Sequence, residues 1–213
     1  TIDLFPNYYS LSNDKRYYIL IKTLLSEEGL HFSHKPKGIL PFHVKGNKIV
    51  TSIEDNIFEA DFFKKENDKT KIHFTITKEF QADFEKITNR FSDCEINFSY
   101  QDQSSDTLAV NEDNTPFRVE DDKLFFRPGG HGALIENLNA LQSDLIYIKN
   151  IDNVSQNHKK VIEINKKLLG GVLLLMQYKI FNYLKLLSSG NVTEAQITEI
   201  KDFAENKTSF PLP

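Results

Sequence analysis

Hydrophobic and polar positions along the chain alternate between helix-like and strand-like patterns. Apolar residues recur at helical spacing in residues 15–29, 52–67 and 78–91, whereas residues 71–77 and 95–101 show the short apolar runs typical of strands. Strand–helix–strand units at this spacing favour right-handed crossovers between parallel strands. The pattern therefore predicts an α/β fold with a mainly parallel sheet flanked by helices.

The middle of the chain continues this alternation in shorter pieces. Residues 102–122 are polar and predict a long loop with short extended stretches, and residues 123–126 predict a short strand. Residues 131–141 have a helical pattern, and residues 144–150 ("DLIYIKN") predict a strongly apolar strand.

From residue 158 onward the pattern is helical only. A first helix is predicted over residues 158–187, with Gly170 and Gly171 as a bend or a break, and a second helix starts at Thr193, where Gln196 completes a capping box. We expect an α/β domain over residues 1–157 and a helical extension over residues 158–213. This extension would pack on the same core, on a missing part of the protein or on a partner, and it could support homo-oligomer formation.

Composition narrows the range of partners. The net charge of −4 and the pI of about 5.9 argue against duplex nucleic acid, whose binders concentrate Lys and Arg. The longest apolar run, Leu168–Met176, has about half the length of a membrane-spanning helix, and no signal peptide opens the chain. Cys94 is the single cysteine, which excludes an intrachain disulfide and fits a reducing compartment. We expect a cytoplasmic protein that binds neither nucleic acid nor membrane, and the abrupt start at Thr1 suggests a segment of a longer chain.

A glycine-rich turn is the first candidate for chemistry. Gly129, Gly130 and Gly132 surround His131 between a predicted strand and a predicted helix. Glycines in this position let backbone N–H groups approach a phosphate or the edge of a base, and the helix N-terminus adds partial positive charge. His131 could donate to a phosphoryl oxygen. The alternative is a tight connection in which the glycines only turn the chain.

A carboxylate after the strand over residues 144–150 is the second candidate. Asp152 lies between Asn150 and Asn153, and one carboxylate at a sheet end suits Mg²⁺, which completes its coordination with phosphate and water. The alternative is that these residues cap the following helix. Gln101 follows another predicted strand, and ligands of parallel sheets collect where strands end. One shared site for these residues is therefore expected.

A basic segment, residues 35–42, is the third candidate. Lys35 and Lys37 stand beside a proline and a glycine, where a lysine could neutralise a polyphosphate or could simply be solvated. The chain has no Gly-x-Ser-x-Gly motif, no cysteine-centred nucleophile and no Walker-type phosphate loop.

Four motifs, taken together, resemble those of a known enzyme class. "PKGILPF", "INFSYQ", "FRPGGHGALIENL" and "YIKNIDNV" occur in that order over roughly residues 35–154. They resemble the signatures of sugar-nucleotide pyrophosphorylases, which are nucleotidyltransferases of the nucleotide-diphospho-sugar transferase (Rossmann-like) fold. A longer run, over about residues 17–170, resembles a family of uncharacterised bacterial proteins known only as a domain of unknown function.

The resemblance implies a role for each matching residue. Lys37 matches the lysine that neutralises the triphosphate, and His131 matches a histidine near the phosphates of the sugar phosphate. Gln101 and Gly130 match residues that recognise the base, with Gly129 and Gly132 completing the nucleotide-binding turn. Asp152 matches the carboxylate that holds Mg²⁺. The implied partners are a nucleoside triphosphate and a sugar-1-phosphate, and the implied reaction releases pyrophosphate.

The chain departs from these enzymes near its start. They carry a Gly-rich loop around the triphosphate upstream of the Pro-Lys signature, whereas residues 1–34 contain only Gly29. Catalysis therefore requires that the full-length protein supply such a loop. The alternatives are a binding module of the same fold that retains a nucleotide or sugar-phosphate pocket without catalysis, and, less favoured, a glycosyltransferase, which usually carries Asp-x-Asp at its metal.

Overall fold

The computed structural model describes residues 5, 7–64 and 68–208, and the chain divides into two compact units, residues 1–157 and residues 158–213. In the described part of the first unit the α-helices are α1 (Asn13–Leu25), α2 (Ser52–Ala60), α3 (Gln81–Thr88) and α4 (Ile135–Asn139). The strands are β1 (Pro41–Lys45), β2 (Lys48–Thr51), β3 (Thr70–Thr75), β4 (Cys94–Ser99), β5 (Thr107–Leu108) and β6 (Phe126–Arg127).

The strands form three small sheets rather than one large sheet. β1 pairs with β2 and β5 pairs with β6 in antiparallel hairpins, and β3 pairs with β4 in parallel, in register from Thr70 opposite Cys94 to Thr75 opposite Ser99. The fold is therefore mixed α/β, as expected. Among the described residues, however, the parallel sheet has two strands, and the mainly parallel, Rossmann-like core is not present there.

The prediction of a strand over residues 144–150 is wrong. These residues form neither strand nor helix in the structure. Instead, single side chains attach the segment to its surroundings: the Tyr147 ring stacks on Phe63 with centroids 4.4 Å apart, and Lys149 Nζ lies 2.5 Å from Glu59 Oε2. A strand needs a hydrogen-bonded neighbour along its backbone, and an apolar run does not supply one.

Helix α2 is shorter and more buried than its pattern indicates. The prediction covered residues 52–67, but α2 ends at Ala60 and a 3₁₀ turn follows at Asp61–Phe63, while residues 65–67 lie outside the described residues. Thr51 begins the helix with a capping box, in which its side chain accepts from the Glu54 N–H and Glu54 accepts from the Thr51 N–H.

The hydrophobic core of the first unit lies between α2, α3 and the parallel strand pair. Ile53 and Ile57, one helical turn apart on α2, pack with Phe74 of β3, Ile76 just after β3, and Phe84 of α3. This crossover unit of β3, α3 and β4 confirms the strand–helix–strand pattern predicted for residues 71–101 at this one place.

The second unit contains a helical pair, α5 (Lys159–Ser188) and α6 (Glu194–Thr208). α5 runs without interruption through Gly170 and Gly171, so of the two predicted alternatives, a bend or a break, the break is wrong. The capping box that begins α6 is confirmed, since Thr193 and Gln196 exchange both hydrogen bonds. Tyr183 of α5 donates to Glu199 of α6 from 2.8 Å, and this hydrogen bond raises the pKa of Tyr183.

Candidate functional site

The structure brings together two of the candidate residues that are far apart in sequence. Lys37 Nζ lies 2.7 Å from Asp152 Oδ2, a contact across 115 positions of the chain. The lysine side chain is 70% exposed and the aspartate side chain 35% exposed, so the pair lies at the surface. A cation and a carboxylate are thus presented to solvent side by side.

Helix α2 holds the backbone on both sides of this pair. The buried hydroxyl of Ser52 donates to the Lys37 carbonyl at 2.9 Å. One turn later, the buried Asn56 amide donates to the Ile151 carbonyl at 2.9 Å, next to Asp152. Serine and asparagine at positions i and i+4 lie on the same face of a helix, and this spacing matches the two carbonyls. The candidate pair is therefore positioned by one helical face.

Gly38 permits the close approach of the two segments. A Cβ at this position would lie 2.7 Å from Cε1 of the buried Phe84 ring and 3.4 Å from Cγ1 of Ile151. The approach to the Phe84 ring is too close for a Cβ, which explains a glycine directly after Lys37 without any need for a ligand.

The hydrogen bond from Lys37 affects the pKa of Asp152. The hydrogen bond from Lys37, supported by a backbone N–H, holds the pKa of Asp152 below its ordinary value. Asp152 is therefore an ionised carboxylate at neutral pH, which is the form that a divalent cation binds.

The glycine-rich turn forms a second contact, separate from the Lys37–Asp152 pair, between Gln101 and Gly129. When the Gln101 amide is oriented with its oxygen toward the turn, that oxygen accepts from the Gly129 N–H at 2.7 Å and from the Ser105 hydroxyl at 3.1 Å. A Cβ on Gly129 would lie 2.7 Å from the Ser105 carbonyl oxygen. Gln101 and Gly129 thus pair with each other, and the amide predicted to recognise a base forms part of the turn.

Gly130, His131 and Gly132 are exposed. A Cβ on either of these two glycines would have no atom within 4 Å, and His131 begins a 3₁₀ turn that leads into α4. The expected contribution of a helix N-terminus is small, because α4 has only five residues. In the described part of the chain, no contact joins His131 to Lys37 or Asp152, and the roles of all these residues remain predictions.

Asn137 of α4, which was not a candidate, fixes this turn at the end of β4. Its amide donates to the Ser99 hydroxyl at 2.9 Å and to the Tyr100 carbonyl at 2.8 Å, one residue before Gln101. The glycine-rich turn itself follows β6, a strand of an antiparallel hairpin, and Asn137 and Gln101 attach this region to the carboxyl end of the parallel strand β4.

A partly buried cluster around Asp55 of α2 was also missed, because the sequence pattern indicates only a strand residue at His43. His43 Nδ1 lies 2.6 Å from Asp55 Oδ2, and Gln156 Nε2 lies 2.6 Å from Asp55 Oδ1. The Asp55 side chain is only 4% exposed. No sequence signal identifies this cluster, since its three members come from three separate segments.

The donor set at Asp152 suits a metal that arrives with phosphate. The described residues contain no group of three or more His, Cys, Asp or Glu side chains that could hold a metal ion. Asp152 offers a single carboxylate that is paired with Lys37, so a metal such as Mg²⁺ would have to take its other ligands from phosphate and water.

Within the described residues no helix has the length and apolar character needed to cross a membrane.

Comparisons with known proteins identify the family. Neither curated proteins nor solved structures give a match. A family model matches residues 3–213, nearly the whole chain, which confirms the resemblance to a family of unknown function. The chain therefore belongs to the family described as Domain of unknown function (DUF4301).

Proposed function

We propose that this chain is a nucleotidyltransferase-like domain that transfers a nucleotidyl group from a nucleoside triphosphate to a sugar-1-phosphate and releases pyrophosphate. The observation that carries the proposal is the contact between Lys37 and Asp152, 2.7 Å apart. These two residues belong to the two motifs that the pyrophosphorylase resemblance assigns to the triphosphate and to the metal. In this proposal the described part of the chain is a portion of the nucleotide-diphospho-sugar transferase fold.

The exposed pair provides a simple way to admit a nucleotide. The Lys37 side chain extends from a backbone held by Ser52, so its ammonium can turn from Asp152 toward phosphate oxygens while the backbone stays fixed. Asp152 is then free to hold Mg²⁺. When bound, Mg²⁺ would neutralise phosphate charge, and Lys37 would add a second positive charge on the triphosphate.

The reaction needs no covalent intermediate on the protein. An oxygen of the sugar-1-phosphate attacks the α-phosphorus and forms a new P–O bond, while the bond from the α-phosphorus to the oxygen bridging to the β-phosphorus breaks. Pyrophosphate leaves with that oxygen. Such a displacement depends on positioning and charge neutralisation. The exposed backbone at Gly130 and Gly132 would face the base, and His131 would face the sugar phosphate, with Gln101 and Gly129 supporting the turn.

A nucleotide- or sugar-phosphate-binding module without catalysis is the second candidate. It is favoured by Gly29, the single glycine of residues 1–34. A Cβ on Gly29 would lie 2.0 Å from the Thr23 carbonyl oxygen, so this glycine is required by the turn after α1. Residues 1–34 thus offer no Gly-rich loop to a triphosphate, and catalysis would depend on another part of the protein.

The proposal includes three further expectations. The metal is Mg²⁺, the protein is cytoplasmic, and residues 158–213 support homo-oligomer formation through the exposed apolar side chains of α5.

Thermal unfolding with each nucleoside triphosphate, with and without Mg²⁺, tests the proposal. A nucleotide at ~100 times its dissociation constant should stabilise the folded chain by about 2.7 kcal/mol, only with Mg²⁺ present. Asp152→Asn and Lys37→Met should abolish this shift and leave the fold intact. The matched control is the exposed pair Lys123 and Asp121, 3.1 Å apart, whose variants Lys123→Met and Asp121→Asn should keep the shift.

The outcomes separate the two candidates. A Mg²⁺-dependent shift with pyrophosphate release on addition of sugar-1-phosphate supports the enzyme, and a shift without release supports the binding module. A shift that survives Asp152→Asn contradicts the metal role of Asp152, and the lack of any shift contradicts both candidates.

A further inference from the structure

A polar cluster forms around the buried Asp55 side chain of α2, the helix that also holds the backbone at Lys37 and Ile151. His43 of β1, Asp55 of α2 and Gln156 meet with both Asp55 carboxylate oxygens engaged at 2.6 Å. The Asp55 side chain is 4% exposed and the His43 side chain 27% exposed. A carboxylate this deeply buried requires such donors, because a buried charge without hydrogen bonds is strongly unfavourable.

The hydrogen-bonding capacity of the three side chains fixes their roles. An ionised carboxylate only accepts, so we assign the proton on the His43 ring to Nδ1, which donates to Oδ2 of Asp55. Gln156 Nε2 also only donates, and its donation goes to Oδ1 of Asp55. The 3.3 Å approach of Gln156 Nε2 to His43 Nδ1 therefore joins two donors and is not a hydrogen bond.

This cluster connects the same three parts of the chain as the candidate site. The segment that carries Lys37 continues into β1 and His43, α2 supplies Asp55, and the segment that carries Asp152 continues to Gln156. Asp152 therefore lies between two attachments to α2: the Ile151 carbonyl at Asn56 and the Gln156 side chain at Asp55. Residues 150–157 form neither helix nor strand, so side-chain contacts hold them in place: these attachments and the packing of Ile151 against the core.

We propose that His43, Asp55 and Gln156 are positioning residues that hold residues 150–157 against α2 and so keep the Asp152 carboxylate at Lys37. The functional consequence, metal-dependent nucleotide binding, rests on the proposed function, whereas the positioning itself does not. Loss of the Gln156 attachment removes the constraint on the C-terminal side of Asp152 and leaves those on its N-terminal side, which are the Asn56 hydrogen bond and the packing of Ile151 against the core. Partners behind a metal ligand typically change metal affinity roughly 10- to 100-fold when they are removed.

Zero-length cross-linking measures this positioning without reference to function. A carbodiimide joins an amine to a carboxylate only when the two are in contact, so it should link Lys37 to Asp152 in the folded chain. The exposed pair Lys167 and Glu163, 2.5 Å apart on α5, provides an internal reference for the yield. Peptide mass spectrometry gives the ratio of the two cross-links.

Gln156→Leu removes the donor to Asp55 and should lower this ratio at least several-fold. Gln142→Leu makes the same substitution at an exposed glutamine and should leave the ratio at the wild-type value. If Gln156→Leu does not fold, Gln156→Asn replaces it, because the shorter amide stays polar but no longer reaches Asp55. An unchanged ratio in the folded Gln156 variant overturns the proposal, as does the absence of the Lys37–Asp152 cross-link in the wild type.

Two substitutions at His43 separate positioning from general packing. The His43→Asn amide nitrogen lies near the place of Nδ1 and can still donate to Asp55, so the cross-link should persist. His43→Ala removes the donor and should lose the cross-link. Equal yields from these two variants overturn a role for the His43 hydrogen bond.

A second measurement, the affinity for nucleotide, depends on the proposed function. In the full chain, Gln156→Leu should weaken Mg²⁺-dependent nucleoside triphosphate binding roughly 10- to 100-fold, while Gln142→Leu keeps it. If the cross-link responds as expected but the wild type binds no nucleotide, the proposed function fails and the positioning stands. If the wild type binds nucleotide and Gln156→Leu changes neither quantity, the positioning fails and the proposed function stands.

Discussion

The ring of His73 and the hydroxyl of Ser99 face each other across the parallel strand pair, with Nε2 and Oγ 2.8 Å apart. Asn137 donates its amide N–H to the same Ser99 oxygen. Ser99 accepts from Asn137 and can donate its own proton to the Thr75 hydroxyl at 3.2 Å or to His73 Nε2, the latter only when the His73 ring is neutral. Partial burial favours that state, because it lowers the pKa of His73 below the ordinary histidine value.

The lowered pKa of His73 predicts that the free energy of unfolding increases as pH rises through about 6.5. Between the folded-state pKa and the higher unfolded-state pKa, the unfolded chain binds more protons, so this stability is present above the unfolded value and is lost as pH falls through the folded value. Urea unfolding at about pH 5.5 and about pH 7.5 measures the difference.

His73→Gln removes the titrating group, so the difference between the two pH values should become smaller. His131→Gln removes an exposed histidine and serves as the control, which should retain the wild-type difference. A wild-type difference that His73→Gln leaves unchanged would mean that another group causes it.

Helix α2 is the element that organises the candidate site. Its polar side chains Ser52, Asp55, Asn56 and Glu59 follow the i, i+3, i+4, i+7 spacing of one helical face, and each of them bonds to a segment remote in sequence. Ile53 and Ile57 occupy the other side and enter the hydrophobic core. The polar face of this helix is therefore an internal docking surface and not a solvated one.

Asn56→Ala tests the contribution of this polar face to stability. The substitution leaves the Ile151 carbonyl without its donor, and a buried acceptor that loses its partner typically costs about 1–3 kcal/mol. We expect the free energy of unfolding, measured with urea, to decrease by that amount. Asn139→Ala, at an exposed position of α4, is the matched control and should change stability by less than about 0.5 kcal/mol. Equal effects of the two variants would contradict the docking role of α2.

At the scale of the whole molecule, the two units differ in how many of their large apolar side chains are buried. The first unit buries a core between α2, α3, β3 and the end of β4, whereas in α5 most large apolar side chains are exposed. Leu169 is 67% exposed and Phe181 is 61% exposed. Exposed apolar surface on a long helix is typical of a surface that binds another protein or another copy of the chain.

We therefore expect the chain to self-associate through residues 158–213. Sedimentation equilibrium should show an oligomer for the full chain and a monomer for residues 1–157 alone, which retain the core and both residues of the Lys37–Asp152 pair. The full chain with Leu169→Glu and Phe181→Glu should also become monomeric, because both substitutions place charge on the apolar surface. A monomeric full chain would contradict self-association.

The sequence by itself determined part of the local structure of this protein. Periodicity located α1, the β3–α3–β4 unit and both helices of the second unit, and capping chemistry located the start of α6, because these features depend on residues close together in the chain. The order of the motifs predicted that Lys37, Gln101, the glycine-rich turn and Asp152 lie near one another, but it gave no distances.

Only the tertiary structure decided which of these residues meet. It joined Lys37 to Asp152 and Gln101 to Gly129, left His131 exposed, and kept residues 144–150 out of any strand. It also buried Asp55 with His43 and Gln156, a cluster that no local pattern indicates. Contacts of this kind depend on three segments packing against one helix, and the energy of a buried hydrogen bond is set by partners that the sequence does not place side by side.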